Sequence, residues 1–125
     1  MNIPDNLKYT KEHEWLKVEK DVAYIGITDF AQGELGDIVF VELPNLSESF
    51  SQNDIFGTIE AVKTLADLYI PVSGEILEVN DKLDSEPELI NSNPYGKGWI
   101  VKIKISDSSE IDSLLTNKDY RDLIS

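Results

Sequence analysis

Two six-residue segments, Gly36-Asp37-Ile38-Val39-Phe40-Val41 and Gly74-Glu75-Ile76-Leu77-Glu78-Val79, share the pattern Gly-acid-Ile-aliphatic-x-Val. Each is rich in residues that suit a pleated surface, and each opens at a glycine that interrupts what precedes it. A match this short can arise by chance. If it is structural, it describes two similar β units packed face to face about a pseudo-dyad. Between the copies, Ile55-Phe56-Gly57-Thr58-Ile59 and Leu68-Tyr69-Ile70 read as strands, the second stopping at Pro71-Val72-Ser73-Gly74. Two strand signals so separated make a hairpin with a longer loop, over about 55–70. Lys63 sits at its tip.

The remaining segments read mostly as short strands. Glu14 to Glu19 and Val22 to Ile27 form a pair across the polar turn Lys20-Asp21. Thr28 is placed to cap a short helix through Gln32, with Gly33 as its stop. Ile38 to Leu43 is apolar on both faces except at Glu42, the pattern of a strand buried on both sides. Pro44 to Asp54 is polar and turn-rich, a surface connection. Asn80 to Gly98 contains Pro87 and Pro94 and has room for a short helix around Leu89-Ile90. Trp99, Val101, Ile103 and Ile105 alternate with Lys102 and Lys104, a half-buried strand. From about residue 108 the period becomes helical, at Ile111, Leu114 and Leu115 and again at Tyr120, Leu123 and Ile124. Ser108 or Ser109 is the cap expected for the first of these helices, and Thr116 for the second.

Charge and cysteine content narrow the function. The 125-residue chain carries 24 acidic and 11 basic residues, a formal charge of −13. Such a balance argues against nucleic acid and anionic membranes as partners, and suits either basic docking surfaces or plain solubility. With no cysteine there is no disulfide, thiolate nucleophile or sulfur metal site, so redox sulfur chemistry would have to come from an attached group. No apolar run is long enough to span a bilayer, and Met1-Asn2-Ile3-Pro4-Asp5 lacks the features of a signal peptide. A bacterial cytoplasmic protein is the simplest expectation, with the mitochondrial matrix possible only after loss of a transit segment.

Few residues propose chemistry by themselves. On spacing alone, a tip lysine such as Lys63 serves solubility. His13 stands between Glu12 and Glu14, but strand alternation splits these residues between faces and no second ligand set accompanies them, so a structural role is favoured and no metal is expected. Gly96-Lys97-Gly98 lacks the phosphate-loop pattern and reads as a turn. Trp15 and Trp99 read as core aromatics.

Four stretches, in order, resemble the glycine cleavage H-protein family of lipoyl carriers. They are Tyr9-Thr10-Lys11-Glu12-His13-Glu14-Trp15-Leu16, the run from Ile25 to Pro44, the stretch from Glu60 through Lys63 and Asp67 to Glu75, and Leu89 to Trp99. The resemblance implies one lipoyl-carrier domain over 1–125. Its fold would be mainly β, a flattened β-barrel or barrel-sandwich hybrid with a short internal helix and C-terminal helices. It also implies lipoic acid in amide linkage to Lys63, attached by a lipoyl ligase or transferase. Ala61 and Thr64-Leu65-Ala66 depart from the small residues and serine usual around that lysine.

By the same resemblance the chain is a monomeric carrier and not an enzyme. Its arm would take an aminomethyl group from the glycine-decarboxylating P protein to the T protein, which transfers the carbon to tetrahydrofolate. The reduced dithiol would then go to the flavin-dependent L protein for reoxidation. A loaded arm ends in a primary ammonium, which Glu14 and Asp67 are candidates to hold; the alternative is that both are ordinary surface carboxylates. Two other readings stay open. One is an unmodified interaction protein, or a relay of lipoyl groups to 2-oxoacid dehydrogenases through the same lysine. The other is a biotinyl carrier, although Val62 and Thr64, not methionines, flank Lys63.

Overall fold

The computed structural model describes residues 2–125. Among the described residues, nine strands form two antiparallel sheets. The larger contains β1 (Lys8–Tyr9), β2 (Glu14–Glu19), β3 (Val22–Ile27), β9 (Val101–Ile105), β8 (Gly74–Val79) and β5 (Ser49–Phe50), in that spatial order. The smaller has β4 (Ile38–Glu42) and β7 (Leu65–Tyr69) on either side of β6 (Ile55–Ala61). The sheets face each other without joining into one hydrogen-bonded ring, the open form of the flattened barrel expected from the sequence. Ile38, Val41, Ile59 and Leu68 from the smaller sheet pack with Leu16, Ile25, Ile76 and Ile103 from the larger, all at 3% exposure or less. Burying side chains of this size stabilises by about 1.5–3 kcal/mol each, so this shared layer is the main source of cohesion.

The two copies of the Gly-acid-Ile motif fall on β4 and β8, one in each sheet, and they share an irregularity. Pairing of β4 with β6 shifts register between Ile38 and Phe40, and pairing of β8 with β9 shifts between Ile76 and Glu78. The extra residue is Val39 in one strand and Leu77 in the other, the same place in the motif. A bulge turns consecutive side chains to one face. Val39 and Phe40 are accordingly about half exposed, at 47% and 51%. That corrects the expectation of a strand buried on both sides, since only Ile38 and Val41 of β4 reach the core.

Other boundaries differ for local reasons. Helix α1 (Asp29–Leu35) is capped by Thr28, whose hydroxyl accepts from the Ala31 N–H. It runs through Gly33 and stops at Gly36, whose φ of +79° favours glycine. The connection after Pro44 contains β5, which pairs with β8. Between Asn80 and Gly98 there are two one-turn helices, α2 (Lys82–Ser85) and α3 (Leu89–Ser92). Near the C-terminus, Ser108–Ser113 is a 3-10 helix capped by Asp107, while α4 (Asn117–Ile124) is capped by Thr116 as expected. Among the described residues, no helix is long and apolar enough to cross a membrane.

A second cluster holds the termini together. Tyr9 and Tyr120 stack with centroids 4.9 Å apart, and Trp15 packs beside them with its indole N–H donating to the Pro94 carbonyl at 3.0 Å. Trp15 lies opposite Gly26 in the β2–β3 ladder, where a methyl group would come within 2.6 Å of the buried indole ring. We expect Gly26→Ala to destabilise the fold by about 1–3 kcal/mol, the usual cost of overpacking. Denaturant melting monitored by tryptophan fluorescence checks this, with a lowered midpoint as the outcome.

Candidate functional site

The hairpin of β6 and β7 keeps its pairing up to Glu60 and Leu65, well past the strand ends suggested by the sequence. Only Val62, Lys63 and Thr64 remain as loop, closed by a hydrogen bond from the Ala61 N–H to the Thr64 carbonyl at 2.8 Å. A second bond, from the Val62 N–H to the Asp37 carbonyl at 3.0 Å, ties this loop to the turn between α1 and β4. The tip is therefore short and anchored on two sides. Lys63 is exposed, and its stem lies along Gly36: a Cβ built there would be 3.4 Å from Lys63 Cε and 3.8 Å from Nζ. Gly36 thus allows the helix to stop through its positive φ, and the lysine stem runs past it at ordinary contact distance.

Leu35, the neighbour of Gly36, lines a cleft of about 380 Å³ between α1, β7 and the turn before β2. Its walls include Phe30 and Ala31 from the helix, Ala66 and Leu68 from β7, and Ile27 and Ile59 from the core side. Four carboxylates, Glu12, Glu14, Glu34 and Asp67, also line it, with no lysine or arginine. An apolar cleft with this charge favours a ligand that has an aliphatic body and a cationic end.

The two carboxylates singled out in the sequence occupy different environments. Glu14 is 2% exposed, whereas Asp67 lies exposed on the edge strand β7. Glu14 accepts from the Thr10 hydroxyl at 2.7 Å and from the Tyr69 N–H at 3.3 Å. Burial outweighs these bonds and pushes its carboxyl up to about 8. His13 lines the same cleft but faces the terminal cluster. Its Nδ1 shares a 2.8 Å hydrogen bond with the Tyr120 hydroxyl, which also bonds the Thr28 hydroxyl at 2.7 Å. Burial lowers its basicity. Its hydrogen bond and edge contact with Tyr120 tie the turn before β2 to the C-terminal helix. The contributions of Thr10 and Gly36 were not evident beforehand. The spacing of Thr10 from Glu14 could have signalled the first, but the second depends on where the lysine stem comes to rest.

The family model for Glycine cleavage H-protein matches residues 7–125. The chain belongs to the glycine cleavage H-protein family. Among H proteins, that of Bacteroides thetaiotaomicron is 53% identical over 99% of this chain and 98% of its own length. The H protein of Halothermothrix orenii is also 53% identical, over 96% of this chain and 94% of its own. In three dimensions, the crystal structure of the Mycobacterium marinum glycine cleavage system H protein matches with a TM-score of 0.89 and 36% identity. That match covers 96% of this chain and 97% of the other. The barrel-sandwich architecture expected of an H protein is thus the one observed.

Glu14 makes the stability of this H-protein fold depend on pH. Below its ordinary value of 4.5 the carboxyl is protonated in folded and unfolded chains alike and contributes nothing. Between 4.5 and about 8 the unfolded chain gives up the proton first, so stability falls as pH rises; above about 8 the loss is complete. Glu14→Gln removes this dependence. Relative to wild type, the variant is expected to gain up to about 5 kcal/mol across that window, on top of a pH-independent offset. Urea unfolding of both proteins at a series of pH values measures the difference, and a constant gap would contradict the burial argument.

Proposed function

We propose that Lys63 carries lipoic acid in amide linkage and that the adjacent cleft shelters the loaded arm. The observation that supports this most directly is the lysine stem lying on Gly36, beside a carboxylate-lined cleft that opens along α1. The fit is chemical as well as steric. Lys63 is exposed for acylation, and its stem is laid along Gly36 at contact distance, next to the cleft residue Leu35. Once attached, the dithiolane supplies a thiol–disulfide couple that can hold and release a one-carbon unit. The protein holds that couple at high effective concentration for each docked enzyme.

This chain's own residues then bind and protect. The apolar walls at Phe30, Leu35 and Leu68 accept the aliphatic arm and exclude water. Glu14 offers a buried carboxyl to the terminal amine, and Asp67 a second, exposed one. A charge-assisted bond at Glu14 is stronger than a neutral one, and an ammonium beside it favours the ionised form. Amine and carboxyl would thus exchange the proton that burial otherwise keeps on Glu14.

The partners follow from the family: a glycine-decarboxylating P protein, an aminomethyl-transferring T protein, a dihydrolipoyl-oxidising L protein, and a ligase or transferase that attaches the lipoyl group. On this reading the chain is a carrier without catalysis of its own. The bacterial origin of both sequence relatives supports work in the cytoplasm. Those relatives carry names from glycine cleavage, so the relay to 2-oxoacid dehydrogenases is not favoured.

Intact mass of protein made in lipoate-replete cells tests the attachment. Wild type should carry one lipoyl increment and Lys63→Arg none; an unmodified wild type, or a modified Lys63→Arg, would refute the assignment. Sheltering has a separate test. Loaded Glu14→Ala should release ammonia and formaldehyde about tenfold faster than wild type, the equivalent of about 1.4 kcal/mol of lost protection. Equal release rates would remove Glu14 from the role.

A further inference from the structure

Asn91 lies on α3, outside the cleft, yet its side chain meets the segment on which the Lys63 tip rests. Its Oδ1 accepts from the Ile38 N–H at 3.0 Å. Its Nδ2 donates to the Gly36 carbonyl at 2.8 Å and to the Gln32 side-chain oxygen at 3.1 Å. The partners fix the amide orientation, since the nitrogen faces two acceptors and the oxygen a donor. β4 is an edge strand of its sheet, so no neighbouring strand satisfies these groups on Gly36 and Ile38. Asn91 takes that place. Between them, the Asp37 carbonyl accepts from the Val62 N–H at 3.0 Å, one residue before the lysine.

We propose that Asn91 is a positioning residue that holds the Lys63 tip in its reactive placement through the Gly36–Ile38 turn. The assignment rests on Lys63 being the attachment point. A side chain that fixes Gly36 and Ile38 at once also fixes the Asp37 carbonyl between them, and with it the anchor of Val62. Without Asn91 the turn can rotate, the Val62 bond opens, and the lysine samples many placements. An acylating enzyme then meets the productive one less often. Gln32 completes the arrangement, since its amide also donates to Asp29 Oδ1 at 2.8 Å, which leaves its oxygen directed to Asn91.

The test compares two asparagines. Asn80 is buried and donates to the Lys97 and Trp99 carbonyls at 2.8 and 2.7 Å, but it makes no bond to the hairpin or the α1–β4 turn. Asn80→Ala therefore reports loss of structural hydrogen bonds alone. On the full-length, unlipoylated chain, two quantities are read: hydrogen exchange at the Val62 amide relative to the β9 amides, and kcat/KM for ATP-dependent attachment of lipoate by a lipoate–protein ligase. Asn91→Ala should speed relative Val62 exchange about tenfold and lower kcat/KM about tenfold. Asn80→Ala should leave both at wild-type values. Asn91→Asp keeps the acceptor for Ile38 but loses both donors, so it should behave like Asn91→Ala, and it carries the test if the alanine variant does not fold. Wild-type Val62 exchange in the Asn91 variants, or equal losses of attachment at Asn91 and Asn80, overturns the proposal. A wild-type chain that accepts no lipoyl group refutes the reading of Lys63 instead, and the exchange measurement still decides the role of Asn91.

Discussion

One carboxyl group spans the two sheets where the cleft begins. Glu14 belongs to β2 in the larger sheet and accepts from the Tyr69 N–H of β7, the edge strand of the smaller. An edge strand leaves part of its backbone unpaired, and in a dry setting each unpaired group is costly. Glu14 therefore satisfies the strand that forms one wall of the cleft, while Thr10 fixes the carboxyl from the other side. A group placed for structure is thereby also the buried acid that faces the cleft. The two uses depend on each other, because the burial that makes the bond to Tyr69 valuable also raises the affinity of Glu14 for a proton.

The opposite wall is held in a similar way. Thr28 caps α1 through the Ala31 N–H, and its hydroxyl is shared with Tyr120 from the C-terminal helix. Tyr120 also reaches His13, the residue before Glu14, which adopts a left-handed φ of 73°. The last helix of the chain thus supports the helix wall and the turn that delivers Glu14. Leu115 adds a backbone bridge to Tyr9, exchanging hydrogen bonds of 2.9 and 2.8 Å. The C-terminal segment, read from the sequence only as helical, is a brace for the site.

Strand alternation was legible where one face is wet, as in Val101 to Ile105, because period two follows directly from the pleat. The hairpin and its lysine were legible too, though its loop is shorter than the sequence suggested: Glu60 and Leu65 pair despite low strand propensity at the first. β4 misled because Val39 and Phe40 are apolar for a reason other than burial, and composition cannot distinguish an outward bulge from a covered face. Gly33 was mistaken for the helix stop because two glycines three residues apart carry the same local signal; only Gly36 needs the positive φ. The family motifs included Asn91 and Thr10, and their partners Gln32, Gly36, Ile38 and Glu14 as well, but not which of these residues bond to one another. What a side chain bonds across the fold is set by tertiary geometry and is not written in its neighbours.

The twin irregularities of β4 and β8 have a mechanical meaning. A strand in a regular ladder can slide by two residues and still present its apolar face inward, so register rests on the turns alone. An extra residue at Val39 and at Leu77 removes that freedom. On one side of it the inward positions fall on Ile38 and Ile76, and on the other the phase has changed, so any displacement brings Phe40 or Glu78 toward the core. Each strand carries its own stop against creep, one per sheet. The lysine hairpin, clamped against the first of them, inherits a fixed height above the fold from a feature that looks like a flaw in the ladder.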